Sequence, residues 1–416
     1  MHDFNYKGDE LYCEGVPVKK IAKEIGTPFY LYSQNTFSKH YEAFDGSFAD
    51  IPHITCFAVK ANSNLAILNR LAKLGSGFDT VSGGEIYRAL KAGAEPRKIV
   101  YAGVGKTREE IKYALESNIL VFNAESTQEL FAIDEVAGGL GKKAQVALRV
   151  NPDIDAATHP YITTGMKNNK FGVDIDTALN DYKLAATLRN INIIGIHQHI
   201  GSQITEGRPF VDALERIIAF ADTLKKEGIN IKYLNIGGGL GITYKDETPL
   251  HPKELAKLLV PLLKKSGYKI IFEPGRVIAG NAGVLVTKVL YTKSSGVKNF
   301  LIVDAGMNDL IRPSIYGAHH EIVSVDRNKS GKEKVVDVVG PICESGDFIA
   351  KDRSLPIMES GDLMAVMSAG AYGFTMSSNY NSRRRAAEVL VSGDTYNIVR
   401  ERESLEDLTR GEIIPE

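Results

Sequence analysis

The chain has little cysteine, no imbalance of charge and no long apolar run, and each shortage removes a class of function. Its three cysteines, Cys13, Cys56 and Cys343, are far apart and odd in number, so neither a disulfide framework nor a zinc pattern can be drawn from them. A reducing compartment fits that usage. Against 50 basic residues stand 51 acidic ones, which leaves no electrostatic footprint for nucleic acid or for an anionic membrane surface. No uninterrupted apolar stretch of about 20 residues occurs, and the opening run Met1-His2-Asp3-Phe4-Asn5 lacks a basic region followed by an apolar one. The expected location is the cytoplasm and the expected partner a small molecule, with neither nucleic acid nor membrane involved. Low-complexity tracts and repeats of solenoid period are also missing.

What is present is the composition of an ordinary globular protein. At 416 residues the chain exceeds what one hydrophobic core accommodates, which favours two domains. From about residue 54 to 276 one unit recurs: a short apolar run rich in β-branched residues, then a charged segment with helical spacing. The runs at 54–60, 77–82, 99–103, 120–125, 145–151, 193–201, 233–239 and 270–276 read as strands, and 64–74, 84–92, 108–117 and 208–227 as helices between them. Eight such strands predict a (β/α)8 barrel of TIM type, with a doubly wound open sheet as the rival. Polar residues fall at the strands' C-terminal ends: Lys60, Asp79, Asn123, Arg149 and Asn151, His197 and His199, Gly237-Gly238-Gly239, Glu273 and Arg276. In a barrel those ends converge on one mouth, where active sites of that fold lie.

After about residue 280 the runs at 284–291, 300–304, 334–340, 362–368, 387–392 and 396–399 are strand-like without long helices between them. They predict a mainly antiparallel β-barrel or sandwich domain. Residues 1–35, extended at 10–16 and 29–32 around a short helix at 18–25, are expected to complete it. The domains expected are therefore a barrel at 36–279 and a β domain made of 1–35 plus 280–416.

Barrels often bind phosphate between the loops after strands 7 and 8, where unpaired backbone N–H groups meet an anion. Here those loops read Gly237-Gly238-Gly239 and Glu273-Pro274-Gly275-Arg276; a bare tight turn is the plainer meaning of such glycines. Lys60 closes the first strand in Phe57-Ala58-Val59-Lys60-Ala61-Asn62, unlike the solvated lysines elsewhere, and partial desolvation would make its amine able to form a Schiff base. Lysine plus phosphate site suggests a phosphate-bearing aldehyde. His197 and His199 share one side of the sixth strand, but no further ligand cluster completes a metal site, so no metal is expected. An imidazole there can stack on a planar cofactor, and Ser202 can donate to its phosphate. Glu273, a carboxylate in a buried mouth, needs a cationic partner. Arg276 or another cation would serve structurally, and a pyridinium N–H would serve functionally.

Together with Gly77-Phe78-Asp79-Thr80-Val81-Ser82-Gly83-Gly84-Glu85 and His199-Ile200-Gly201-Ser202, these motifs make the chain resemble the fold-type III pyridoxal-phosphate decarboxylases over nearly its whole length. In the C-terminal part, Arg312-Pro313-Ser314-Ile315-Tyr316, Cys343-Glu344-Ser345-Gly346-Asp347 and Gly370-Ala371-Tyr372-Gly373 sharpen the subgroup. The resemblance implies pyridoxal 5'-phosphate as cofactor and decarboxylation of meso-diaminopimelate to L-lysine, the last step of lysine biosynthesis. Ornithine, arginine or carboxynorspermidine would be the substrate in related enzymes, and an amino-acid racemase shares the same domain plan. It further implies that Lys60 is the Schiff-base lysine, that His199 stacks on the ring, and that Ser202, Gly239, Arg276 and Tyr372 bind cofactor. Asp79, Gly237, Gly238, Pro274 and Gly275 fall in the same cradle, Arg149 and His197 are supports, and Glu273 pairs with the pyridine nitrogen. Arg276, Arg312, Tyr316, Glu344 and Tyr372 would meet substrate, and Cys343 would be the proton donor. A homodimer is implied too, with the Cys343–Glu344 loop reaching into the partner's barrel mouth.

Overall fold

The computed structural model describes residues 2–154, 170–327 and 332–416. The chain divides into two compact units, one made of residues 1–39, 244–246 and 279–416, the other of 40–243 and 247–278.

The second unit is the barrel. Strands His53–Ala58, Gly77–Thr80, Ile99–Tyr101, Val121–Ala124, Ala144–Asn151, Ile191–His197, Tyr233–Asn235 and Lys269–Phe272 pair in parallel in that order. The last pairs back on the first through Ile270 and His53, so the sheet closes. Closure excludes the open-sheet alternative and removes every free edge. Inside, Ile54, Cys56, Val100, Leu120, Val121, Ala147, Ile194 and Ile271 form one buried cluster, the continuous apolar filling that the strand runs foretell.

Helix boundaries follow local chemistry. Ser82, Asn64 and Ser126 each cap a helix by accepting from a backbone N–H of its first turn, and Thr107 with Glu110 forms a reciprocal capping box. The helix Arg208–Lys226 buries Phe210, Ala213, Leu214, Ile217, Phe220, Ala221 and Leu224, the three- and four-residue stripe of an outer-ring helix.

The first unit holds a nine-stranded mixed sheet. The strand Phe29–Ser33 lies between Gly283–Ser294, antiparallel to it, and Ala387–Ser392, parallel to it, so the N-terminal segment does complete this sheet. Asn299–Val303 and Glu333–Val339 make a second parallel pair; the remaining pairings are antiparallel. Beneath lies a core of Leu11, Val16, Ile21, Phe29, Leu31, Val284, Val286, Val389 and their neighbours. Two strands of this sheet went unforeseen. Phe348–Pro356 is an edge strand whose Lys351-Asp352-Arg353-Ser354 stretch reads as a loop, because one side of an edge faces water and tolerates charge. Ile322–Ser324 is too short to show any period. No helix among the described residues is long and apolar enough to cross a membrane.

Gly77 is among the barrel positions that admit glycine alone. A Cβ on Gly77 would lie 2.4 Å from the Lys98 carbonyl oxygen, just before the third strand, and 2.8 Å from Cys56 Sγ in the first. Gly77→Ala should destabilise the protein by about 1–3 kcal/mol through overpacking, read as a lowered midpoint in thermal unfolding.

Candidate active site

The parallel register assembles the site. Ala58 pairs with Asp79 and His197 with Asn235, so polar side chains from successive strands reach the barrel's C-terminal end at similar heights. The first strand ends at Ala58, and a 3-10 turn, Val59–Ala61, carries Lys60 beyond it. Lys60 is therefore presented from a turn and not from the strand itself. Its Nζ donates to Asp79 Oδ2 at 2.5 Å, and the Asp79 side chain is fully buried.

Glu273, just past the eighth strand, is the second buried carboxylate. His197 Nε2 lies 3.3 Å from its Oε2, while Asn235 Nδ2 and Asn123 Nδ2 donate to its Oε1 at 2.6 and 3.3 Å. Its close partners are thus His197 and two side-chain amides. Arg276 instead turns to Ser202, donating to Oγ from Nε and Nη2 at 3.3 and 3.0 Å. Burial would raise the Glu273 carboxyl, but the charge and hydrogen bond of His197, then Lys60 and Asn235, outweigh it and hold it down at about 2. Asp79 goes the other way. Burial and the negative charge of Glu273 lift it to about 6 against the pull of Lys60. Glu85, which accepts from the Val81 N–H, is pushed up to about 7 by burial, with Lys60 opposing.

His199 lies beyond the sixth strand, where its Nδ1 accepts from the Gly238 N–H at 3.3 Å. Burial first, then the positive charges of Arg149 and Lys60, keeps its pKa well below the usual range, so the imidazole is neutral. Arg149 is fixed behind it by Glu125 at 3.1 Å and donates to the His199 carbonyl at 3.4 Å. Glu125 also accepts from the Gly172 and Gly103 N–H groups, a knot that joins three loops.

The glycine run has a steric cause. A Cβ on Gly238 would meet the Glu273 carbonyl oxygen at 2.1 Å, and one on Gly237, whose φ is +70°, would meet the Gln198 carbonyl at 2.5 Å. The loops after strands 6, 7 and 8 therefore touch backbone to backbone, which only glycine permits. The result is a cradle with Ser202 and Arg276 on one side and Gly237-Gly238-Gly239 on the other, suited to a phosphate. The neutral imidazole, the ionised Glu273 and the Lys60 amine suit the rest of a pyridoxal group.

The other expected residues belong to the first unit. Arg312 is buried, with Nη1 2.8 Å from His320 Nε2 and its guanidinium 4.5 Å from the Tyr244 ring centroid. His320 Nδ1 lies 2.8 Å from the Met367 carbonyl. Donation to that carbonyl leaves Nε2 as an acceptor for Arg312. Tyr316 and Tyr372 are half-buried, Tyr372 at φ +56°, while Cys343 and Glu344 are exposed. Asn381 Oδ1 accepts from the Cys343 N–H at 2.7 Å, and Tyr380 donates to Glu344 Oε2 at 2.9 Å. Asn235 and His320 have no local sequence signal for their roles, while Asn123 shows only a strand-end position and Glu85 only its place in the Gly77–Glu85 motif.

Glu273 makes stability depend on pH in a definite sense. Its carboxyl sits lower in the folded than in the unfolded chain, so its contribution, about 3 kcal/mol, is present above the ordinary value of 4.5 and is lost as pH falls toward about 2. In denaturant titrations of the cofactor-free protein, Glu273→Gln should be less stable than wild type at pH 6, with the difference shrinking between pH 5 and 3. A difference independent of pH would contradict this reading.

Residues 34–280 match the family described as pyridoxal-dependent decarboxylase, pyridoxal binding domain. The chain is 54% identical over 409 residues to diaminopimelate decarboxylase of Haemophilus influenzae, covering 98% of each, and 53% identical over 419 residues to that of Vibrio cholerae, covering 100% of each. Among solved structures it is similar to diaminopimelate decarboxylase from Helicobacter pylori complexed with L-lysine, with TM-score 0.91, 43% identity and coverage of 94% of this chain and 98% of that one. It is also similar to the enzyme from M. jannaschii in co-complex with L-lysine, with TM-score 0.94, 39% identity and coverage of 100% and 99%. The closed barrel with its lysine, its buried carboxylates and its glycine cradle is thus that of the pyridoxal-dependent decarboxylases, and the chain belongs to the diaminopimelate decarboxylase family.

Proposed function

We propose that this enzyme, loaded with pyridoxal 5'-phosphate on Lys60, removes carbon dioxide from meso-diaminopimelate to give L-lysine, in the cytoplasm. The observation that carries this reading is the barrel mouth itself: one lysine amine held 2.5 Å from Asp79 beside a second buried carboxylate, Glu273, kept ionised by His197. When bound, the cofactor supplies an electron sink for the pair left at Cα as carbon dioxide departs.

The chain's own residues do the rest. Asp79, lifted to about 6, takes up proton density from the Lys60 Nζ that it touches and orients that amine. Glu273 presents an anionic oxygen that would hold a proton on the cofactor's ring nitrogen, and Asn123, Asn235 and His197 fix its plane. His199, neutral and oriented by Gly238, offers a flat face for stacking. Ser202, Arg276 and the Gly237–Gly239 backbone bind phosphate, with Pro274 and Gly275 shaping the loop.

Selection acts at the far end of the substrate, where a carboxylate and an ammonium occur together. Arg312, preset by His320 and Tyr244, suits the carboxylate; Glu344 suits the ammonium, and Tyr316 also meets substrate. Cys343 donates the proton to Cα that replaces the lost carboxylate. The catalytic unit is a homodimer in which the Cys343–Glu344 loop serves the partner's barrel.

Carbon dioxide release by the purified, cofactor-supplemented protein, measured over diaminopimelate, ornithine, arginine and carboxynorspermidine, tests the substrate. Diaminopimelate should lead, and a preference for ornithine would overturn the assignment. Lys60→Ala should abolish release. Cys343→Ala should lower turnover about 10²- to 10⁴-fold with little change in cofactor absorbance. Arg312→Lys, which loses the two-pronged contact, should raise KM for diaminopimelate about tenfold or more.

A further inference from the structure

In the β unit, residues 342–347 fold back on themselves and leave Cys343 and Glu344 exposed. Within this turn the Glu344 N–H donates to the Ile342 carbonyl at 2.8 Å, and the Asp347 N–H donates to the Glu344 carbonyl at 3.1 Å. Asp347 closes it. Its side chain is buried, and its Oδ2 accepts from the Ile342 N–H at 2.6 Å while its Oδ1 accepts from the Met307 N–H at 2.6 Å. Both oxygens are thus acceptors, as those of an ionised carboxylate are. Burial raises the pKa of this carboxyl, and the bonds from Ile342 and Met307 oppose the rise.

The backbone is drawn in around that carboxyl. A Cβ on Gly340 would lie 2.5 Å from Asp347 Oδ2 and 2.5 Å from the Gly306 Cα, and one on Gly306 would lie 3.1 Å from Oδ1. Met307 belongs to a second turn, in which the Asp309 and Leu310 N–H groups donate to the Gly306 carbonyl at 2.9 and 3.0 Å. That turn leads through Ile311 into the helix Arg312–Tyr316, and Ser314 of the helix donates from Oγ to the Gly346 carbonyl at 2.7 Å. On the exposed side, Asn381 Oδ1 accepts from the Cys343 N–H. A carboxylate of general structural use could tie down any loop. This one bonds to the residue before Cys343 and to the turn before Arg312.

We propose that Asp347 is a positioning residue for the reaction: its carboxylate fixes the turn that presents Cys343 and Glu344 and anchors that turn to the body of the β unit. Asp347 acts through those two residues and not on the substrate itself. Precision matters most for Cys343, because a displacement of about 1 Å in a reacting group can cost about a hundredfold in rate. The proposal rests on Cys343 being the proton donor and on Glu344 meeting the distal ammonium. Asparagine would keep the shape of Asp347 but offer one acceptor to two N–H groups.

Steady-state rates and backbone hydrogen exchange of the cofactor-loaded enzyme test it. Asp347→Asn should lower kcat for diaminopimelate about tenfold or more with cofactor absorbance unchanged. In a Cys343→Ala background the same substitution should change kcat by less than about twofold, since a donor already removed cannot be misplaced, while KM still rises through Glu344. Amide exchange should quicken at 304–310 and 340–348 and stay as in wild type across the barrel. Should Asp347→Asn not fold, Asn381→Gly keeps the left-handed φ of +55° and loses only the acceptor for the Cys343 N–H. It should show the same dependence of kcat on Cys343. Equal fractional losses of kcat in both backgrounds, undiminished kcat, or unchanged exchange at 340–348 would overturn the proposal. Full turnover by Cys343→Ala alone would overturn the donor assignment, and quickened exchange at 340–348 in Asp347→Asn separates that failure from failure of the turn.

Discussion

Two carboxylates are buried at the barrel's C-terminal end, and the arrangement of the mouth is largely the answer to their charge. Asp79 and Glu273 repel each other across a low-dielectric interior, so both cannot be ionised without cationic neighbours. The protein resolves this asymmetrically. Glu273 receives His197 and two side-chain amides and stays anionic; Asp79 receives the Lys60 amine alone and is raised. Two carboxyl groups with their pKa values driven apart is a recurring way for a site to separate a fixed anion from a proton carrier.

Around that pair the backbone is drawn close. The contact of the Gly238 region with the Glu273 carbonyl brings the loops after strands 7 and 8 together, and it fixes Glu273 and the phosphate cradle in one motion. His199 belongs to the same assembly, because its ring is oriented by the Gly238 N–H and its backbone by Arg149. A substitution in any one of these loops is therefore expected to disturb cofactor affinity and not only local packing.

Much of this was legible in the sequence. The eight apolar runs gave the barrel because parallel strands are buried on both faces, and Lys60 stood out because it closes such a run, where its side chain is 38% exposed. The partner of Glu273 was not legible. Which side chain faces which carboxylate depends on inter-strand register, here His197 against Asn235 and both against the eighth strand's end, and no local pattern encodes that. Asn123 and Asn235 give no signal as isolated amides. In the β unit the charged edge strand Phe348–Pro356 hid behind its solvent-facing residues.

The central claim is that Lys60 is the residue that carries the cofactor. Borohydride reduction of the cofactor-loaded protein, followed by digestion and mass mapping of the modified peptide, tests it directly. The account predicts the added pyridoxyl mass on Lys60, within Phe57-Ala58-Val59-Lys60-Ala61-Asn62. The same mass on any other lysine, with Lys60 unmodified, would contradict it.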